Sequence, residues 1–509
     1  MPSCGSWNIG GRMGLRWTIA PHAKGRLPEE LLKDPEGFIR DCGGVISAGR
    51  DHLTALCGEL FVKVYRLKPA EGFKGLFRST KAEREWRGSV RLQQAGVPVP
   101  LPLAWGRDGL FPGRGFYVAE ALRDANSMDK VGKEKLEALL PAAARAIKAM
   151  HDAGIFHRDL HGGNVILKGE KVFLTDLHRH RLYPGGVPDE KRWWDVACFL
   201  HSLRGCFSPE TREEFLRTYL GREEIPPQLK EVESRVFSRY LKHVRRDCTD
   251  DSLTHRQVHV KGLRGWTLKE ISSQVLETLL EEHHRAVQEG GEKLRKGGRR
   301  SNVTLFVVGG ERVCVKEYRF SFLSGLKERF RLPKPRKAWI NANLLNARGV
   351  GGMKPLAFLE GWRGPSMAEA YLIVSSPHGY VEMPRYLRSL YPDRERRRAF
   401  MKALVSFFLS LQDDPPVWHR DLKAHHIMVR EMDRRWDFAL IEPEDVRFKK
   451  MGWRWLVRNL AQLNTSLPPF VNRTDKVRFL KGIVQEEDLR QLFRAVAKRS
   501  SKRTFVYIS

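Results

Sequence analysis

The chain has 509 residues, too many for one ordinary hydrophobic core, so two or three domains are expected. A hydrophobic fraction of 41% excludes a globally disordered chain, and no apolar run approaches the roughly 18 residues needed to cross a bilayer. Lys and Arg outnumber Asp and Glu by 90 to 60, a formal net charge of +30, which favours polyanionic partners: an anionic membrane surface, a phosphorylated glycolipid or nucleic acid.

Residues 1–36 are rich in Gly and Arg and are expected to form a poorly ordered extension, with Met13 a second candidate start. They hold no hydrophobic signal core, so secretion is not expected. The seven cysteines include no CxxC pair and are read as reduced thiols of a cytosolic protein.

A first domain is expected over 37–250. Gly43-Gly44 and Ser47-Ala-Gly49 precede Phe61-Val-Lys63-Val-Tyr65, whose valines alternate with period two as on a half-buried strand. Thr80 with Glu83 spells a capping box for a helix that carries Glu85 and stops near Gly96 and Pro98. Leu136, Leu139, Leu140, Ile147 and Met150 share one face of a second helix, which Pro141 is expected to kink or restart. His157-Arg-Asp159-Leu follows, then Asn164, a short apolar run, and a second run ending in Asp176.

Residues 251–292 are read as a partly helical linker. Thr267 and Glu270 would cap a helix with Ile271, Val275 and Leu279 on one face, ending at Gly290-Gly291. A second domain is expected over 293–509, because the pattern recurs. Val313-Cys-Val-Lys316 matches the first lysine strand, and His419-Arg-Asp421-Leu matches His157 to Leu160. The final apolar run ends at Glu442. Lys63 precedes Asp159 by 96 positions and Lys316 precedes Asp421 by 105, so a duplicated domain is the economical reading.

The order Lys, Glu, Asp, Asn, Asp suits phosphoryl transfer, which needs phosphates held, metal placed and an acceptor hydroxyl aimed. Asp159 would orient the hydroxyl. Asn164 and Asp176 would hold Mg²⁺, and Lys63 would reach the phosphates with Glu85 steadying it. No GxGxxG is present, so the turn at Gly49 is the candidate phosphate-covering loop. Histidines crowd the region from His151 to His180, but their spacing matches no zinc site.

These residues resemble the Kdo/WaaP-type lipopolysaccharide kinases, a branch of the protein-kinase-like superfamily. Phe-Val-Lys63-Val-Tyr, Arg84-Glu85-Trp86, His157-Arg-Asp159 and Leu174-Thr-Asp176-Leu-His-Arg179 carry the likeness, and Arg192-Trp-Trp-Asp195 is similar to the family's brace for the catalytic loop. The resemblance implies an α+β fold of two tandem protein-kinase-like bilobal domains, each with a small mixed β-sheet N-lobe and a mainly helical C-lobe. It implies use of ATP and Mg²⁺ to phosphorylate a heptose or Kdo hydroxyl of lipopolysaccharide core, or of a similar glycolipid. It also implies a cytoplasmic location with peripheral contact at the anionic face of the inner membrane. Nucleic acid is the less favoured partner, and the oligomeric state is left open.

The second copy departs from the pattern. Lys337-Ala-Trp339 replaces Arg84-Glu85-Trp86, His426 takes the place of Asn164, and Glu442 that of Asp176. Lys316, Asp421, His426 and Glu442 are therefore expected to form a degenerate second site. The alternatives are a protein Ser/Thr kinase, and a non-catalytic tandem pseudokinase that binds anionic membrane or nucleic acid.

Overall fold

The lysine strands Leu60–Arg66 and Glu311–Arg319 lie at equivalent places in two seven-stranded antiparallel sheets. The computed structural model describes all residues except 1–6, 11–13, 50, 68–78, 110–112, 205, 309, 376–378, 413–415, 433–434, 451, 485 and 504–509. The chain divides into two compact units, Met1–Val236 and Phe237–Ser509.

In the first unit the sheet order is Trp7–Gly10, Leu15–Ile19, Pro102–Asp108, Arg114–Glu120, Leu60–Arg66, His52–Cys57, Val45–Ala48. In the second it is His255–Val260, Leu263–Leu268, Lys354–Arg363, Ser366–Ser375, Glu311–Arg319, Ser301–Val308, Leu294–Lys296. The connectivity is the same. Each sheet is followed by a mainly helical lobe, with helices such as Lys133–Asp152 and Asp189–Ser202 in the first unit and Arg394–Ser410 and Trp453–Asn464 in the second. The architecture is α+β, two tandem domains that each join a seven-stranded antiparallel sheet to a mainly helical lobe.

The common topology corrects two expectations. Residues 1–36 are not wholly a loose extension: Leu15–Ile19 is a strand that buries Leu15, Trp17 and Ile19 in alternation. Trp17 stacks on Phe116 at 5.6 Å and donates from Nε1 to the Leu32 carbonyl at 3.0 Å. The calls on residues 1–6 and on Met13 lie outside the described residues. Residues 251–292 are not a linker either. The hairpin His255–Val260/Leu263–Leu268 opens the second sheet, and helix Ser273–Glu289 packs Leu276, Leu279 and Leu280 into the same core. Both repeats thus begin with a hairpin and a helix ahead of the recognisable motifs.

Three local readings also change. Thr267 is a buried strand residue whose hydroxyl donates to the Leu356 carbonyl, and Ser272 caps the helix by accepting from the Val275 amide. Helix Lys133–Asp152 continues through Pro141 with its apolar face intact. Cys42 and Cys57 form a disulfide with 5.5 Å between Cα atoms, because the end of helix Pro35–Cys42 meets the end of strand His52–Cys57. They are therefore not the reduced thiols expected.

Candidate active site

Helix Lys81–Gln94 positions the first acid. Thr80 caps it by accepting from the Glu83 amide at 3.2 Å. The Glu83 carboxylate pairs with Arg87 at 2.6 Å rather than closing the box. Ala82, Glu85, Ser89 and Leu92 form the buried face at helical spacing. Gly88 allows a close approach: a Cβ there would meet the His180 ring at 3.0 Å and Leu177 at 3.1 Å. The helix therefore rests on the turn that follows Asp176, which brings Glu85 to Lys63.

Lys63 Nζ lies 3.5 Å from Glu85 Oε2 and is hydrogen-bonded to Asp176 Oδ1. The Tyr65 hydroxyl donates to Glu85 Oε2. Burial drives the Lys63 amine down, yet the two carboxylates outweigh it and hold its pKa above the ordinary value. Glu85, wholly buried, is pushed up by desolvation with only partial relief from Lys63. Burial also raises Asp176, but His178, which donates from Nδ1 at 2.6 Å, and Lys63 more than reverse it and keep the carboxyl ionised. Asp176 has φ 61°, a left-handed conformation that L residues enter at a cost and that aims the carboxylate off the strand end.

The loop around Asp159 is tied from below. Asp195, fully buried, accepts from the amides of His157 at 2.7 Å and Arg158 at 3.0 Å. This double acceptance matches the left-handed φ of 71° at Arg158. Asn164 donates from Nδ2 to the Asp159 carbonyl at 3.0 Å, which leaves its Oδ1 as the coordinating end. Asp159 itself pairs with Arg179 at 2.9 Å at the mouth of the site. Gly49 departs from expectation. Its hairpin precedes the lysine strand, but its N–H donates to the His52 carbonyl at 2.8 Å, so that amide serves the turn and not a phosphate.

The second unit repeats this frame with altered chemistry. Lys316 Nζ bonds Glu442 Oε2 at 2.5 Å and Glu444 Oε1 at 2.8 Å. The Tyr318 hydroxyl donates to Glu444 at 3.3 Å, as Tyr65 donates to Glu85. Glu444 thus supplies the buried acid that the helix lacks, where Ala338 stands. Burial raises both acids; Lys316 holds Glu444 low, to about 2, whereas Glu442 is pushed up by burial and by its neighbour Glu444. Glu442 has φ 56°, the same left-handed conformation as Asp176.

His426 donates from Nδ1 to the Asp421 carbonyl at 2.7 Å, the bond that Asn164 makes in the first unit. The brace differs more. Asn459 replaces Asp195, and its amide donates to the His419 carbonyl at 2.6 Å. Ser202 and Ser466, seven residues beyond each, accept from Gly162 and Ala424 and fix the correspondence. Asn459 thus donates through Nδ2 where both Asp195 oxygens accept, and Arg420 is not among the described residues with positive φ. Asp421 is held by Lys423 at 3.0 Å and Gln462 at 3.1 Å.

The model of the lipopolysaccharide kinase (Kdo/WaaP) family matches residues 68–219 and 287–483, more than half of the chain. The chain belongs to this family. It is a kinase, and kinases of this kind use ATP. A probable serine/threonine-protein kinase BUD32 homolog of Archaeoglobus fulgidus is 30% identical over 191 residues, 36% of this chain and 86% of that protein. The lipopolysaccharide core heptose(I) kinase WaaP of Pseudomonas aeruginosa is 29% identical over 163 residues, 28% of this chain and 60% of that protein. The solved structure of WaaP in complex with acyl carrier protein is 25% identical, covering 43% of this chain and 95% of that one, at a TM-score of 0.31.

Sequence reasoning missed Glu444, Asn459 and the Arg179 pair. Glu444 lies two residues past Glu442, where the first copy has His178, so the motif announces no acid there. Asn459 was findable by counting seven residues back from the serine shared with the first copy. Among the described residues, no helix is long and apolar enough to cross a membrane.

Proposed function

We propose that the first unit transfers the γ-phosphoryl group of Mg-ATP to a sugar hydroxyl of lipopolysaccharide core, heptose or Kdo, or of a similar glycolipid. The observation that carries this reading is the contrast between the two copies. The first keeps Lys63, Glu85, Asp159, Asn164 and Asp176 with the Asp195 brace, whereas the second has moved or replaced most of them.

Asp159 accepts or orients the acceptor hydroxyl proton, and Lys63 binds phosphate oxygens while Glu85 keeps it in place. The donor set fits Mg²⁺: Asn164 Oδ1 and the ionised Asp176 carboxylate are hard oxygen ligands on adjoining segments. When bound, the ion neutralises charge on the β- and γ-phosphates. The charge of +30 supports an acceptor that already bears phosphates, and peripheral contact with the anionic cytoplasmic face of the inner membrane. The second unit, with Lys316, Asp421, His426 and Glu442, has a binding or bracing role. A protein acceptor is the second reading, favoured by the BUD32-like relative.

The test offers γ-labelled ATP and Mg²⁺ with dephosphorylated lipopolysaccharide core and, separately, a generic protein acceptor. Label in the glycolipid that disappears with Asp159→Ala and survives Asp421→Ala is expected. Loss with Asp421→Ala alone would overturn the choice of unit, and label confined to protein would favour the second reading.

A further inference from the structure

The two copies of the sheet differ on the face opposite the lysine. Along a strand, side chains alternate between faces, so Glu317 points away from the Lys316 site and toward helix Ser273–Glu289. In the first unit the corresponding residues are apolar: Val64, paired with Phe116, where the second unit has Glu317 paired with Tyr371. Val64 and Phe116 are fully buried, so the fold at this place needs no polar group. Glu317 is nevertheless 1% exposed. A carboxylate is retained there at a desolvation cost that valine avoids.

Other polar groups converge on it. His284, Glu317 and Glu369 place one ligand atom each within 4.8 Å of one another. They come from the helix, the lysine strand and strand Ser366–Ser375. The Tyr371 hydroxyl sits among them, 2.9 Å from His284 Nε2 and 2.5 Å from Glu369 Oε2. His283 is wholly buried. Its Nδ1 meets the Thr304 hydroxyl at 2.7 Å, while its Nε2 has no hydrogen-bond partner and lies 3.5 Å from Glu317 Oε2. A buried ring nitrogen aimed at a carboxylate without a hydrogen bond is an orphan that a cation would satisfy. Arg319 donates to Glu317 Oε1 at 2.7 Å from a half-exposed position, so one cation already competes for the place.

We propose that His284, Glu317 and Glu369 bind one divalent transition-metal cation of the Zn²⁺ class on the back of the second sheet, with His283 Nε2 and Tyr371 beside it. Imidazole with carboxylate selects such ions over Mg²⁺ and Ca²⁺, which take all-oxygen shells. The bound ion would clamp helix Ser273–Glu289 to the strand that carries Lys316. Asn302, which bonds Glu317, also accepts from the Gly298 amide in the turn before strand Ser301–Val308. The clamp would therefore extend to that turn. The inference does not depend on which unit transfers phosphate.

Full-length protein stripped with a chelator is dialysed against Zn²⁺ buffered by a competing chelator, and bound metal is counted by mass spectrometry. One tight ion per chain is expected. His284→Ala and Glu369→Gln, both at accessible positions, should weaken binding at least about tenfold. Arg319→Gln should tighten it, because it removes the competing cation; a merely structural hydrogen-bond network would not respond that way. Co²⁺ substitution should give the spectrum of nitrogen and oxygen ligands without sulfur. Zinc binding no tighter than about 10 μM, unchanged affinity in both weakening variants, or loss only with His178→Ala in the first unit would each overturn the proposal.

Discussion

Glu85→Gln and Glu444→Gln remove one buried charge from each copy of the same arrangement, and their consequences should separate the two units. Glu85 is 3% exposed, lies 3.5 Å from Lys63 and accepts the Tyr65 hydroxyl. Glu444 is 3% exposed, lies 2.8 Å from Lys316 and accepts the Tyr318 hydroxyl. Breaking a buried pair outright costs about 3–5 kcal/mol. Here each lysine keeps a second carboxylate, Asp176 or Glu442, so the loss is nearer the value of a charged hydrogen bond, about 2–3 kcal/mol. Since the chain has two units, the cost is read locally, by hydrogen exchange of the lysine-strand amides. Catalysis should respond in one unit only. Without Glu85, Lys63 is left to Asp176, to which it is already hydrogen-bonded, and draws that carboxylate from the place proposed for the metal; a shift of about 1 Å costs roughly a hundredfold in turnover. Glu444→Gln should leave phosphate transfer within about twofold, near what a remote substitution does. Equal losses of turnover in the two variants, or Glu85→Gln retaining nearly full turnover, would refute the reasoning.

Asp195→Asn gives the first unit the brace of the second; kcat should fall far more than KM rises, because the loop holding Asp159 loses its double acceptor, and steady-state kinetics check this. Trp17→Ala should destabilise the first unit by about 3–5 kcal/mol in urea titrations, since the side chain is 2% exposed inside the core. Asp176 has a pKa below its unfolded value, so its contribution to stability is present above the ordinary carboxylate range and is lost as pH falls through it; urea midpoints between pH 6 and pH 3 should drop less in Asp176→Asn than in wild type. His426, pushed by burial to about 3, is lowered relative to the unfolded 6.5, so folding disfavours its protonation below pH 6.5; His426→Asn keeps the bond to the Asp421 carbonyl and should stabilise the second unit at pH 5 by about 2 kcal/mol, with little change at pH 8.

What was legible in the sequence was local. Lys63, Asp159, Asn164 and Asp176 sit in short motifs whose spacing survives in both copies, and the period-two valines around Lys63 and Lys316 mark their strands. The leading hairpins were not legible. Leu15–Ile19 has five residues and Leu263–Leu268 six, and neither stretch is apolar enough to stand out until the sheet supplies partners. Thr267 carried a plausible capping spacing, but its hydroxyl found a strand carbonyl instead, and Ser272 took the cap. The disulfide joins cysteines fifteen residues apart through a hairpin that no spacing rule announces.

The second copy shows why degenerate motifs mislead. Losing the helix glutamate reads as loss of the lysine's partner, yet Tyr318, two residues past Lys316, still finds a buried acid. The constraint acts in space. A lysine whose side chain is only 15% exposed must be neutralised, and any carboxylate within reach meets the electrostatic need. Glu444 can do so because it follows the same left-handed turn as Asp176, which brings the chain back beneath the lysine strand. Each lysine is thus held by two carboxylates, Lys63 by Glu85 and Asp176 and Lys316 by Glu442 and Glu444. The brace changed, from an acceptor of two amides to a donor. Charge compensation at the lysine is present in both copies, while the groups at the places of Asn164, Asp176 and Asp195 differ in the second.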